Sequence, residues 1–110
     1  MVNEHTLRIC TLNDHLRRTG AGGQLYITAG IKYLGAVAAA DIIQEVMHYD
    51  TFTVDNDPYG EHDFGAFTYQ GKRIFWKIDY YATDLEGGSP NPADPRETKR
   101  VLTILLADEY

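Results

Sequence analysis

Two strand-like segments separated by a tight turn constrain the fold of this chain most. Phe64 to Gln70 and Arg73 to Tyr80 are rich in aromatic and β-branched residues, with Gly71 and Lys72 between them. Alternate residues of the second segment share one face of a strand: Ile74, Trp76, Ile78 and Tyr80. The pattern predicts an antiparallel hairpin with one apolar face. Trp76 is expected to anchor the core, because large aromatic side chains are highly buried on average.

Helical periodicity before the hairpin predicts the layer that covers the sheet. Residues 4–18 place apolar side chains near helical spacing, with Arg17 and Arg18 in the last turn and Gly20 as a stop. Residues 36–49 predict a second, largely buried helix, with a stripe of Val37, Ala40, Ile43 and Met47 widened by Ala39, Ile42 and Val46. Shorter segments predict strands at Gln24 to Thr28 and Thr51 to Val54, whereas residues 29–35 are ambiguous.

The C-terminal segment fits two structures. Asp94 and Glu97 around Pro95 resemble a helix start, with Asp94 as the N-cap, and predict a helix to about residue 108. Residues 82–95 before it form a loop rich in Gly, Pro and Asp. Thr98 to Leu106 also fits a strand, because Val, Thr and Ile are plentiful there. With the helix, the element order is helix, strand, helix, short strand, hairpin, helix.

These elements predict an α+β fold in which a small antiparallel sheet with a central hairpin packs against two or three helices. The 110 residues form a single domain, 1–110, of ordinary size. Cys10 is the one cysteine, so the chain has no internal disulfide, and its place on the apolar side of a helix predicts a buried thiol. With a polar N-terminus and no long apolar run, we expect a cytoplasmic protein without membrane contact.

The middle of the chain is acidic and free of basic residues. The net charge is −6, which argues against direct binding to nucleic acid. Between Lys32 and Lys72 there is no Lys or Arg, while the same stretch holds seven acids: Asp41, Glu45, Asp50, Asp55, Asp57, Glu61 and Asp63. A field this one-sided attracts a cationic partner. The simpler interpretation is a solvated face that aids solubility.

Residues 55–63, DNDPYGEHD, are the segment most suggestive of chemistry. A metal site there would use oxygen and nitrogen ligands from Asp57, Glu61, His62 and Asp63. A catalytic site would use His62 as a general base beside Glu61 or Asp63. The spacing matches neither a calcium loop nor a zinc motif, and Asn, Asp, Pro and Gly are also the residues that build turns. Turn architecture is therefore favoured, and we predict no catalytic residue, metal or cofactor.

Several motifs spread over nearly the whole chain resemble a family of small bacterial proteins, a domain of unknown function often found on mobile elements. The residues that carry the resemblance are Asn13-Asp14, Leu16-Arg17, Gly22-Gly23, Asn56 to Gly65, Trp76 to Tyr81, Asp94-Pro95 and Arg100 to Thr103. The resemblance implies no catalytic residues, because it implies no established activity. The mobile-element association implies a role in conflict with host defences.

Three functions follow as hypotheses. The first is an acidic, protein-binding inhibitor that imitates nucleic acid and blocks the basic groove of a CRISPR effector or restriction enzyme. Alternate residues of a strand lie roughly 6.6 Å apart, close to every second phosphate. Its binding residues would be Asp50, Asp55, Asp57, Tyr59, Glu61 and Asp63. The alternative is a small metal-dependent or acid/base hydrolase centred on Glu61, His62 and Asp63. The third is an interaction domain that binds through exposed aromatic residues of the hairpin.

Overall fold

The computed structural model describes residues 3–110 as three α-helices, a four-stranded sheet and a short 3₁₀ helix. The α+β class is confirmed. No helix within residues 3–110 has the length and apolar character needed to cross a membrane. The elements are α1 (Glu4–Thr19), β1 (Gln24–Ile27), α2 (Ala29–Tyr33), α3 (Ala36–Met47), β2 (Phe64–Tyr69), β3 (Lys72–Tyr81), β4 (Lys99–Leu106) and the 3₁₀ helix Ala107–Glu109.

The predicted first helix is confirmed, and its ends are fixed by local chemistry. The side chain of Asn3 accepts a hydrogen bond from the Thr6 backbone N–H at 2.7 Å, which caps the N-terminus of α1. At the other end Gly20 adopts a left-handed conformation (φ 78°) and donates its N–H to the Leu16 carbonyl. The helix buries Ile9 and Leu16, and Leu16 packs in the core with residues of the sheet.

Strands β2 and β3 pair antiparallel, and Gln70 and Gly71 connect them. Both connecting residues have positive φ (48° and 80°), as a tight two-residue hairpin turn requires. The strand order is β1-β4-β3-β2, so this pair lies at one end of the sheet rather than at its centre. Trp76 is fully buried as predicted, and Gly65 on β2 leaves the space that its indole ring occupies.

The C-terminal helix prediction is wrong, because residues 99–106 form β4 in the interior of the sheet. β4 pairs antiparallel with β3 and parallel with β1, so the prediction of an antiparallel sheet is corrected to a mixed one. Alternate apolar residues of β4, such as Leu102 and Ile104, are buried in the core. Asp94 caps a turn instead of a helix, since its side chain accepts the Arg96 backbone N–H at 2.9 Å.

Two predictions in the middle of the chain also need correction. Thr51 to Val54 forms no strand, because its backbone groups bond to the Asn56 side chain instead of a neighbouring strand. Asn56 accepts the Thr53 N–H and donates to the Thr51 carbonyl, at 2.8 Å each. The second helix is not largely buried: α3 covers the sheet with Ala39, Ile42 and Val46, whereas Val37 is 76% exposed and Ala40 is exposed. The ambiguous segment 29–35 contains the short helix α2.

Candidate functional site

His62 lies between two carboxylates, one of which comes from α1. It adopts a left-handed backbone conformation (φ 55°), and its ring stacks on Phe52 at a centroid distance of 3.7 Å. Nδ1 lies 2.9 Å from Asp14 Oδ1, and Nε2 lies 3.6 Å from Asp57 Oδ2. Among residues 3–110, these two carboxylates are the ones within ion-pair distance of His62, so the predicted grouping with Glu61 and Asp63 is absent there.

The Asp57 carboxylate contacts both the backbone N–H and the ring of His62. Its side chain is 6% exposed, and its Oδ1 accepts the His62 backbone N–H at 3.2 Å. The Asp57 carboxylate therefore closes the turn that positions the imidazole, as short polar side chains commonly do. The same turn borders an open pocket of about 550 Å³, lined in part by Asn3, Thr6 and Tyr59.

Asp14 also pairs with Arg17, whose side chain is fully buried. Arg17 Nη2 donates to Asp14 Oδ1 at 2.8 Å, and Nη1 donates to the backbone carbonyls of Val46, Met47 and Tyr49 at 3.1, 3.3 and 2.8 Å. The last carbonyls of a helix have no partner within it, so this arginine satisfies the C-terminus of α3 from α1. Burial alone would raise the pKa of Asp14, but hydrogen bonds from His62 and Arg17 outweigh it and lower the pKa.

A second buried network joins α1 to the sheet and to Glu61. The Asn13 side chain donates to the Glu61 carbonyl at 3.0 Å and to the Tyr80 hydroxyl at 2.7 Å. The Tyr80 hydroxyl donates to Glu61 Oε1 at 2.8 Å, and Arg100 Nε donates to Asn13 Oδ1 at 2.7 Å. Arg100 also donates to the Pro92 carbonyl. Burial is the main cause that raises the pKa of Tyr80 and lowers the pKa of Arg100, so the network holds a neutral phenol beside a carboxylate.

The six predicted binding residues divide into two groups. Asp50, Asp55 and Tyr59 are exposed, and the exposed fraction of Tyr59 is 80%. Asp57 accepts a hydrogen bond from the His62 backbone N–H, and Glu61 accepts one from the Tyr80 hydroxyl. Asp63 is partly buried. Burial, followed by the charge of Glu61, raises the pKa of Asp63. Residues 55–63 lie in no strand, so the strand spacing assumed for a phosphate-like row of carboxylates does not apply to them.

Two further acids on α3 face solvent. Asp41 and Glu45 are four residues apart and are both exposed, and Asp41 accepts a hydrogen bond from the Tyr69 hydroxyl at 2.8 Å. We refer to Asp41, Glu45, Asp50 and Asp55 as the outward carboxylates, and to Asp14, Asp57, Glu61 and Asp63 as the inward carboxylates. Within residues 3–110, none of the outward carboxylates forms an ion pair.

The α1 residues of the site are absent from the predicted site, although the sequence contains a signal for them. Asn13 and Arg17 lie on the same face of α1 as the buried Ile9 and Leu16. Polar side chains on the core face of a helix need internal partners, because an unpaired buried polar group costs free energy. Cys10, also on this face, is buried as predicted, and burial together with the charges of Asp14 and Asp57 raises the pKa of its thiol to about 11.

Comparison with known protein families gives a match over most of the chain. The model of a family described as "Protein of unknown function (DUF3768)" matches residues 27–109. This confirms the resemblance to a family without assigned function. Neither a curated protein nor a solved structure matches the chain.

Proposed function

Because the chain belongs to the DUF3768 family of proteins of unknown function, we propose a function from its exposed groups: it is an acidic inhibitor that binds the basic, nucleic-acid-binding surface of another protein. The observation that carries this proposal is the set of outward carboxylates, which are exposed and free of ion pairs within residues 3–110. They lie in the stretch without Lys or Arg, so no basic residue adjoins them along the chain, and a field of one sign attracts a cationic partner.

The spacing on α3 supports an imitation of nucleic acid better than residues 55–63 do. Asp41 and Glu45 lie one helical turn apart on the same side of α3, a rise of about 6 Å. A DNA strand carries one charge per about 3.4 Å along the helix axis, so two such carboxylates approximate every second phosphate. Val37 precedes Asp41 by another turn, and its exposed side chain adds apolar contact area beside the charges.

The target class follows from the charge. A surface that normally binds phosphates presents clustered Lys and Arg, which the outward carboxylates would contact in place of nucleic acid. CRISPR effectors and restriction enzymes are proposed as targets, because the resemblance implies carriage on mobile elements, which an inhibitor of either enzyme would protect. The protein would act in the cytoplasm, where these enzymes meet foreign DNA.

The test compares two charge reversals in a binding assay against purified candidate targets at low and high salt. The variant Asp41→Lys with Glu45→Lys should slow association by about tenfold or more at low salt, because surface charges control the encounter rate. The control, Glu86→Lys with Glu97→Lys, changes the net charge equally at exposed positions outside the basic-free stretch. Equal association rates for the two variants would rule out the α3 surface as the binding site.

The hydrolase alternative has one supporting observation, the 2.9 Å contact between His62 and Asp14 beside an open pocket. A general base needs one ring nitrogen within reach of the substrate proton, whereas Nε2 of His62 faces Asp57. This geometry favours the binding function over acid/base chemistry. Ester or phosphoester hydrolysis that His62→Ala removes and His48→Ala retains would reverse that preference.

A further inference from the structure

Three donor atoms of different chemistry converge where α1 meets the turn at His62. The Cys10 sulfur, an Asp14 carboxylate oxygen and a His62 ring nitrogen all lie within 4.8 Å of one another. Cys10 and Asp14 are one turn apart on α1, so they present their side chains on the same side of the helix. Thiolate, imidazole and carboxylate are the three side-chain ligand types found in zinc sites.

The surroundings of His62 match those of a ligating histidine. A metal-bound imidazole almost always has its other N–H directed at a carboxylate or carbonyl, which fixes the tautomer and ring orientation. Asp57 lies on that side of the ring, with Oδ2 at an ion-pair distance of 3.6 Å from Nε2, while Nδ1 faces Asp14. The Phe52 ring, parallel to the imidazole within 5°, restrains its plane.

The two oxygens of Asp14 have different neighbours. Oδ1 accepts a hydrogen bond from Arg17 and lies 2.9 Å from His62 Nδ1, whereas Oδ2 lies 3.9 Å from the Cys10 sulfur and 4.0 Å from Arg18 Nη2. An ion held by Oδ2 and Nδ1 would leave the Arg17 hydrogen bond in place and replace the contact between His62 and Asp14. The two guanidinium charges are an opposing electrostatic effect.

We propose that Cys10, Asp14 and His62 form a binding site for one divalent transition-metal ion, with zinc as the best match, and that Asp57 positions His62 through its second ring nitrogen. On binding, the Cys10 thiol releases its proton to solvent and the sulfur coordinates the ion as a thiolate. Three protein donors leave one coordination position for solvent in a tetrahedral geometry. This proposal is independent of the acidic inhibitor function, because it uses none of the outward carboxylates.

The first experiment adds Zn²⁺ to metal-free protein and measures stoichiometry and affinity by calorimetry, with a chelator as competitor. We expect one ion per chain in the unmodified protein and a loss of affinity of about tenfold or more in His62→Ala. His48→Ala is the matched control, because His48 is an exposed histidine outside the cluster. Absence of binding, or equal losses in the two variants, would overturn the proposal.

The second experiment keeps the proposal testable if a variant fails to fold. Co²⁺ bound by a thiolate gives a sulfur-to-metal charge-transfer band in the near ultraviolet. The unmodified protein should develop this band on addition of one equivalent of Co²⁺, and Cys10→Ser should lose it while circular dichroism reports an intact fold. An unmodified protein that binds Co²⁺ without the band would exclude Cys10 as a ligand and contradict the site.

Discussion

The outward and inward carboxylates differ in their surroundings far more than in their sequence context. All four outward members and three of the inward ones lie in the same stretch without Lys or Arg. Asp41 and Glu45 face solvent from a regular helix, whereas Asp57 and Glu61 bind His62 and Tyr80 within turns. The difference shows that a run of acids in sequence is not one electrostatic surface, because backbone conformation decides which charges reach a partner.

The largest expected effect on stability comes from replacing Arg17, the buried cation that pairs with Asp14. Arg17→Met should lower the free energy of unfolding by about 3–5 kcal/mol, because it removes the buried partner of Asp14 and the side-chain donor to the carbonyls at the end of α3. Urea denaturation measures the change. Arg18→Met is the control, with an expected loss below about 1 kcal/mol, since Arg18 is exposed and 4.0 Å from Asp14. Similar losses of stability in the Arg17 and Arg18 variants would show that burial does not determine how much an arginine partner of Asp14 contributes.

A smaller loss is expected where an inward carboxylate has a neutral partner. Tyr80→Phe removes the hydroxyl that joins Asn13 to Glu61, which should reduce the free energy of unfolding by about 1–3 kcal/mol. Thermal or urea unfolding provides the measurement. Tyr26→Phe removes an exposed hydroxyl on β1 and should change stability by less than about 0.5 kcal/mol. A Tyr80→Phe protein as stable as the control would mean that the network contributes little.

The charged Asp63 carboxylate should destabilise the fold at neutral pH, unlike that of Asp14, because folding raises the pKa of Asp63. A carboxyl whose folded pKa lies above its unfolded value stabilises the fold when protonated, and that stability is lost as pH rises through the folded pKa. At pH 7 the charged group is therefore a cost, and Asp63→Asn should stabilise by less than about 1 kcal/mol, given its partial exposure. The gain should disappear in acid; urea unfolding at a series of pH values tests this. A gain independent of pH would argue against the charge as the cause.

The outward carboxylates should have the smallest effect on stability. Asp50→Asn and Asp55→Asn should each stay within about 0.5 kcal/mol of the unmodified protein, since both side chains are exposed. Urea unfolding at neutral pH is sufficient to detect a larger change. A loss above about 1 kcal/mol at either position would place that residue with the inward group.

Local patterns predicted the elements that depend on local chemistry. The alternating apolar face of β3 identified Ile74, Trp76 and Ile78 as buried, and the periodicity of residues 4–18 identified α1. Residues 98–106 fit both helix and strand in sequence. Their conformation is decided by pairing with both β1 and β3, which no local pattern contains.

The candidate site was only half predictable for the same reason. Residues 55–63 were recognisable as a distinctive acidic segment, but their partners Asn13, Asp14 and Tyr80 come from distant parts of the chain. Adjacent residues Glu61 and His62 also contact different partners, because the turn directs one toward Tyr80 and the other toward Asp14. A single sequence does not reveal which acids will find such partners.

The interior position of β4 has a consequence for the order of folding. During synthesis β1 leaves the ribosome before β2, β3 and β4, yet its partner in the sheet is β4, with Gln24 opposite Val101. The β2–β3 hairpin can form as soon as its turn is complete, whereas β1 waits until residues 99–106 are available to enter between it and β3. Pairing of β1 with β4 must close the long loop between them, and the entropy of closure is lost before the contacts of the pair form. Docking of β4 is therefore expected to limit the folding rate. Nascent chains that stop short of β4 should therefore be sensitive to proteases, however complete their helices are.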